Sequence, residues 1–187
     1  YHEQRGVARA LTELGNDPKI KIISMSIGHI ISIGSISDAI KYAYSKEKLI
    51  FAAGGTSTEW TNFVGVIFPA SMAETVAVTG ITDAAGYTEC AVCHKGSKID
   101  FVVIMQRASN ADRTSVVVGY NANTKDYVGG SSVSTATTAG IAALVWSRYP
   151  NWTRGQVLNR LIQSAQLYPN RDSNFGYGAI DALKAVQ

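Results

Sequence analysis

Two short apolar runs with one helical stretch between them set the architecture of this chain. Ile20, Ile22, Ile23 and Met25 form the first run, a short segment rich in β-branched residues, and Leu49 to Ala53 the second. A strand that is apolar on both faces is buried on both, as in a parallel sheet covered by helices. Between the runs Ile36, Ala39, Ile40 and Ala43 recur at helical spacing, and Ser35 or Ser37 is expected to cap that helix. Ahead of them Val7, Ala8, Leu11 and Leu14 repeat the helical pattern, which Gly15-Asn16 ends. Helix, strand, helix, strand implies an α/β chain whose parallel strands are joined by crossover helices.

The pattern continues with buried strands predicted over Thr75 to Ile81 and Asp100 to Ile104. Residues 106–128 are polar with scattered Val and read as loops with a hairpin around Asn121-Ala122-Asn123. A long helix is predicted from Ser131-Ser132 to about Tyr149, and a second, capped by Thr153, through Gln166. Gly176-Tyr177-Gly178 precedes a last short helix, Asp181 to Val186. A chain of 187 residues builds one sizeable core, so residues 1–187 are expected to form a single domain. The net charge of +3 comes from scattered basic residues, which argues against a nucleic-acid partner. Every apolar stretch falls short of the roughly 18 residues a membrane span needs, so no membrane partner is expected. The polar start, Tyr1 to Arg5, does not read as a signal peptide.

Gly129-Gly130-Ser131-Ser132 is the feature most suggestive of chemistry. Glycines before a helix permit a sharp turn and close approach of a substrate. The first turn of a helix offers unpaired N–H groups and the positive end of the dipole, which favour a developing oxyanion. A serine at such a start is more commonly a cap, and spacing alone leaves both readings open.

The wider sequence resembles the subtilisin-like serine proteases. Gly130-Ser131-Ser132-Val133-Ser134 through Leu144 is similar to that family's nucleophile segment, Gly-Thr-Ser-Met-Ala-Thr/Ser-Pro-His-Val-Ala-Gly, with Ser132 at the serine. Met25-Ser26-Ile27-Gly28 resembles its Met-Ser-Leu-Gly strand, Phe51-Ala52-Ala53-Gly54-Gly55 its Ala-Ala-Ala-Gly-Asn segment, and Phe68-Pro69-Ala70 its Tyr-Pro-Ala segment. Tyr149 to Thr153 and Gly176 to Ala182 resemble the segments that follow. The order and spacing of these matches carry the resemblance.

It implies a three-layer subtilisin-like fold with a mostly parallel central sheet, incomplete at its N-terminal side, and a cis peptide at Phe68-Pro69. It implies a serine endopeptidase acting on polypeptide through Ser132, with a histidine as base and an aspartate orienting it. The Asp and His motifs precede this region in the family and do not occur here, so the resemblance assigns them to the N-terminal part of the same protease. His2, His29 and His94 lie outside the histidine motif, and the chain alone is expected to be nearly inactive. Ser26, Ile27 and Gly28 are implied as one side of the substrate cleft, and Ala52, Ala53 and Gly54 as the other, around a roomy apolar pocket. Gly55 takes the place of the family's oxyanion asparagine, with Thr56 or Ser57 as neighbouring donors. That change, and Ala136-Thr137 in place of Pro-His, leave a non-catalytic binding or scaffold module as an alternative. The resemblance also implies a secreted or extracytoplasmic setting and allows calcium, although no carboxylate cluster identifies a site.

Cys90-Ala91-Val92-Cys93-His94 matches the Cys-x-x-Cys-His pattern of c-type haem attachment, which makes a haem protein a remote alternative. The competing readings are two buried thiols or a local disulfide.

Overall fold

The computed structural model describes residues 2–56, 65–110, 112, 115–118 and 125–187. Helix α1 (His2–Asn16), strand β1 (Ile22–Met25), helix α2 (Gly34–Ser45) and strand β2 (Leu49–Ala53) follow the order read from the first apolar runs. Strands β3 (Val76–Thr82) and β4 (Ile99–Gln106) complete a four-stranded sheet in the order β1-β2-β3-β4, parallel throughout. Every residue of β2 and β3 is buried, which is why neither strand alternates polar with apolar.

One face of the sheet packs on α1 and α2 through Leu11, Ile23, Met25, Ile36, Ile40 and Ala52. The other packs on α3 (Ser131–Arg148), α4 (Arg154–Ser164) and α5 (Ala182–Val186) through Phe51, Val78, Phe101, Ala142, Val145 and Leu161. The result is the three-layer α/β arrangement expected from the sequence. Among the described residues β1 has a strand on one side only.

Helix α3 lies across all four strands, and its buried face is made of small residues from Ser131 to Ala142, followed by Val145 and Trp146. Their hydroxyls are satisfied within the helix: Ser134 donates to Gly130 O, Thr135 to Ser131 O and Thr138 to Ser134 O. Small polar residues can therefore be buried without orphaned groups, and the helix approaches the sheet closely.

Several boundaries differ from the sequence reading. Helix α2 begins at Gly34 with Ile33 as N-cap and no side-chain cap, so Ser35 and Ser37 lie inside its first turn. Strand β4 runs from Ile99 on to Gln106, which pairs with Thr82 of β3. Helix α4 ends at Ser164. Its start follows expectation: Thr153 Oγ1 accepts from Gln156 N–H while Gln156 Oε1 accepts from Thr153 N–H, a reciprocal capping box. Strands β5 (Ser115–Val118) and β6 (Lys125–Val128) pair antiparallel, as the hairpin reading requires, although Asn121-Ala122-Asn123 falls outside the described residues. The Phe68-Pro69 peptide is cis, and so is Tyr168-Pro169, which the sequence did not announce.

Candidate active site

The site is built on the start of α3. Gly130, at φ 95°, is the N-cap, so Ser131 and Ser132 are the first two residues of the helix and neither caps it. The cap comes from another segment. Thr56 Oγ1 accepts the Ser131 N–H at 3.3 Å and shares a 2.8 Å hydrogen bond with Ser131 Oγ. Ser134 N–H returns to Gly130 O. The N–H groups of Ser132 and Val133 have no protein partner among the described residues and remain as donors at the positive end of the helix. Ser131 is 1% exposed, whereas Ser132 is half-buried.

Ser132 opens onto a cavity of about 160 Å3. Ser26, Ile27 and Gly28, the chain leaving β1, form one wall; Ala53, Gly55 and Thr56, leaving β2, form another. Ser26 Oγ donates to Ser132 O at 2.9 Å and ties the first wall to the helix. Two of the expected residues do not line the cavity. Ala52 is fully buried in the core on the α1/α2 face, because successive strand residues point to opposite faces and Ala53 is the one on the α3 side. Gly54 is buried against Ile99, where an added Cβ would lie 2.7 Å from Ile99 Cδ1. Ile67 also lines the cavity and lies on Gly28, so close that a Cβ there would sit 2.3 Å from Ile67 Cδ1.

Gly55 differs from a simple loss of a side chain. Its φ is 132°, and a Cβ would lie 2.4 Å from His94 Nδ1. The imidazole of His94, 2% exposed, occupies that space from another part of the chain. His94 N–H donates to Gly55 O at 3.0 Å, and Nδ1 lies 2.7 Å from Gly65 O. A carbonyl only accepts, so Nδ1 carries a proton.

Cys90 and Cys93 are bonded to each other as a disulfide and are 3% and 4% exposed. This corrects the haem reading: both sulfurs are committed, and His94 is packed into the protein on Gly55. Beside this turn Lys95 Nζ donates to Glu89 Oε1 at 2.6 Å, which holds the Glu89 carboxyl below the usual glutamate range.

Among the described residues no histidine or carboxylate is hydrogen-bonded to Ser132. His29 forms a backbone bridge with Phe68. Ser57 lies outside the described residues. No group of three or more His, Cys, Asp or Glu among the described residues is arranged to hold a metal ion. The carbonyls of Pro69, Ala70 and Met72 do converge, but on Thr75 Oγ1, and the ammonium of Lys98 donates to Thr75 O beside them. That arrangement does not fit calcium, which needs carbonyl and carboxylate oxygens free to face the ion.

The site contributions of Ile67, His94 and Ser131 escaped the sequence reading. The available signal was the Cys90-Ala91-Val92-Cys93-His94 pattern, which does not name Gly55 as its partner.

Comparison with known proteins shows the family of this chain. The model of the Subtilase family matches residues 2–178. A thermostable alkaline protease of Halalkalibacterium halodurans is 30% identical over 167 residues, which are 89% of this chain and 42% of that protein. A subtilisin of Bacillus pumilus is 29% identical over 89% of this chain and 56% of its own length. The chain thus spans about half the length of these relatives. Among solved structures, the S41 psychrophilic protease superposes with a TM-score of 0.80 at 20% identity, covering 95% of this chain and 63% of that one. Sphericase gives 0.77 at 22%, with the same coverage. Strand order, the placement of the Ser132 helix and the match over residues 2–178 together make this chain a member of the Subtilase family.

Proposed function

We propose that this chain carries the nucleophile and part of the substrate cleft of a serine endopeptidase. The observation that carries the reading is Ser132 in the first turn of α3, facing a cavity beside two helix N–H groups that have no protein partner among the described residues. In the proposed reaction an extended polypeptide lies along Ser26–Gly28 and Ser132 Oγ attacks the scissile carbonyl. A histidine, oriented by an aspartate, takes the Ser132 proton and passes it to the leaving amine. Both residues belong to the N-terminal part of the same protease. Water then cleaves the acyl-enzyme and restores the serine.

The oxyanion is held by Ser132 N–H and by one hydroxyl hydrogen of the Thr56–Ser131 pair. Two hydroxyls bring two hydrogens; one is used between them at 2.8 Å and the other remains for the substrate oxygen. A formed disulfide accords with an extracytoplasmic setting.

The second reading is a non-catalytic binding module, favoured by the glycine at position 55. Peptide hydrolysis by the full-length protein separates the two. The endopeptidase reading expects cleavage that Ser132→Ala reduces by several orders of magnitude, as loss of a nucleophile does. Full-length protein carrying Asp and His that cleaves nothing assigns the module instead, and cleavage that persists in Ser132→Ala removes Ser132 as the nucleophile.

A further inference from the structure

We infer that the Cys90–Cys93 disulfide and His94 form a brace that fixes the oxyanion side of the site, with His94 as a positioning residue for Gly55 and Thr56. The inference rests on the endopeptidase reading for its catalytic consequence and on geometry alone for the brace.

The brace starts at the sheet. Cys90 N–H donates to Gly80 O in β3, and Cys93 Sγ lies so close to Gly80 that an added Cβ there would be 2.6 Å from it. Cys93 N–H donates back to Cys90 O, which closes the turn. Cys93 then pairs with Thr56 in an antiparallel bridge. The next residue, His94, donates its N–H to Gly55 O, accepts at its own carbonyl from Thr79 Oγ1, and places its ring where a Gly55 side chain would start. Nδ1 of that ring binds Gly65 O, so one buried residue holds two backbone carbonyls of the Gly55–Gly65 stretch. Thr56 carries the constraint on to Ser131 and the start of α3.

A contiguous path of covalent and hydrogen bonds therefore runs from the disulfide to the residue beside Ser132. The bond joins residues three apart, and short loops gain the least chain-entropy stabilisation from a disulfide. What so short a closure does best is fix a turn locally. Here the turn delivers an imidazole into a space that a glycine leaves open.

The test compares the full-length protein with Cys90→Ala/Cys93→Ala and with His94→Ala. Two quantities are read: the rate of labelling of Ser132 by a fluorophosphonate, and amide hydrogen exchange at residue 94, at Ser131 and across β3. The brace expects exchange at residue 94 and Ser131 to rise by about tenfold or more while β3 stays protected. It expects labelling to slow by up to ~10²-fold, the scale of a displacement of about 1 Å in a site. Unchanged exchange at both amides overturns the proposal, and so does an equal rise across β3, which would make the disulfide a general stabiliser. If the parent protein never labels, the endopeptidase reading fails, and the exchange measurements still decide the brace.

Discussion

Replacing Gly55 by asparagine would restore the residue that the family resemblance places there, and the structure predicts harm from it. At φ 132° an L-residue is strained by about 1–3 kcal/mol. Its Cβ would also lie 2.4 Å from His94 Nδ1, well inside contact distance, so the buried ring must move. Moving it breaks the bond to Gly65 O and leaves a buried polar pair unsatisfied, at a further cost of about 1–3 kcal/mol. The sum is roughly 2–6 kcal/mol of lost stability. An added oxyanion donor of the family type would otherwise raise turnover by about 10²–10³. The assay is urea unfolding of Gly55→Asn beside the parent protein, together with Ser132 labelling rates. The double variant Gly55→Asn/His94→Gly opens the space and should lose less than the sum of the single changes. A Gly55→Asn protein of parental stability that labels faster would refute the reasoning, because His94 could not then be filling that space.

The Thr56–Ser131 hydroxyl pair makes a second prediction. In a cycle of Thr56→Val, Ser131→Ala and both, unfolding free energies should couple by about 0.5–1.5 kcal/mol, and additivity within about 0.3–0.5 kcal/mol would remove the pair from the account. Thr56→Val should also lower kcat with little change in KM, since the donor acts on the developing oxyanion. Glu89 gives a pH dependence. The hydrogen bond from Lys95 lowers its pKa in the folded state, so its contribution is present above the ordinary glutamate value and is lost as pH falls through the lowered one. Both side chains are well exposed, so the effect is a few tenths of a kcal/mol. Urea midpoints of Glu89→Gln should fall less steeply on acidification than those of the parent, and parallel curves would contradict the assignment.

Much of the fold is local in origin, which made it legible in the sequence. The run of Leu49 to Ala53 is apolar because β2 is covered on both faces, and Thr153 with Gln156 announces the start of α4 through chemistry contained in four residues. The α2 boundary is not legible because the N-cap, Ile33, makes no side-chain cap hydrogen bond, and the serines that look like caps lie within the first turn. In the site, order and spacing pointed to Ser26, Ile27, Gly28, Ala53 and Ser132, which the fold gathers around one cavity. The strand period of two separates Ala52 from Ala53, and a motif match does not register that. Nothing near Gly55 in sequence reveals His94, 39 residues later, because the contact exists only after β3 and the disulfide turn have folded against β2. The Cys-x-x-Cys-His pattern was visible, but its partner, a glycine that leaves space for a ring, was not.

The central claim is that Ser132 is a nucleophile activated by residues supplied from the N-terminal part of the protease. It is tested most directly by treating the full-length protein with a fluorophosphonate and mapping the adduct by mass spectrometry. The account predicts one adduct, on Ser132, that is absent from Ser132→Ala and from a variant lacking the histidine of the N-terminal part. An intact, folded protein with no adduct at Ser132, or with labelling that survives Ser132→Ala, would contradict it.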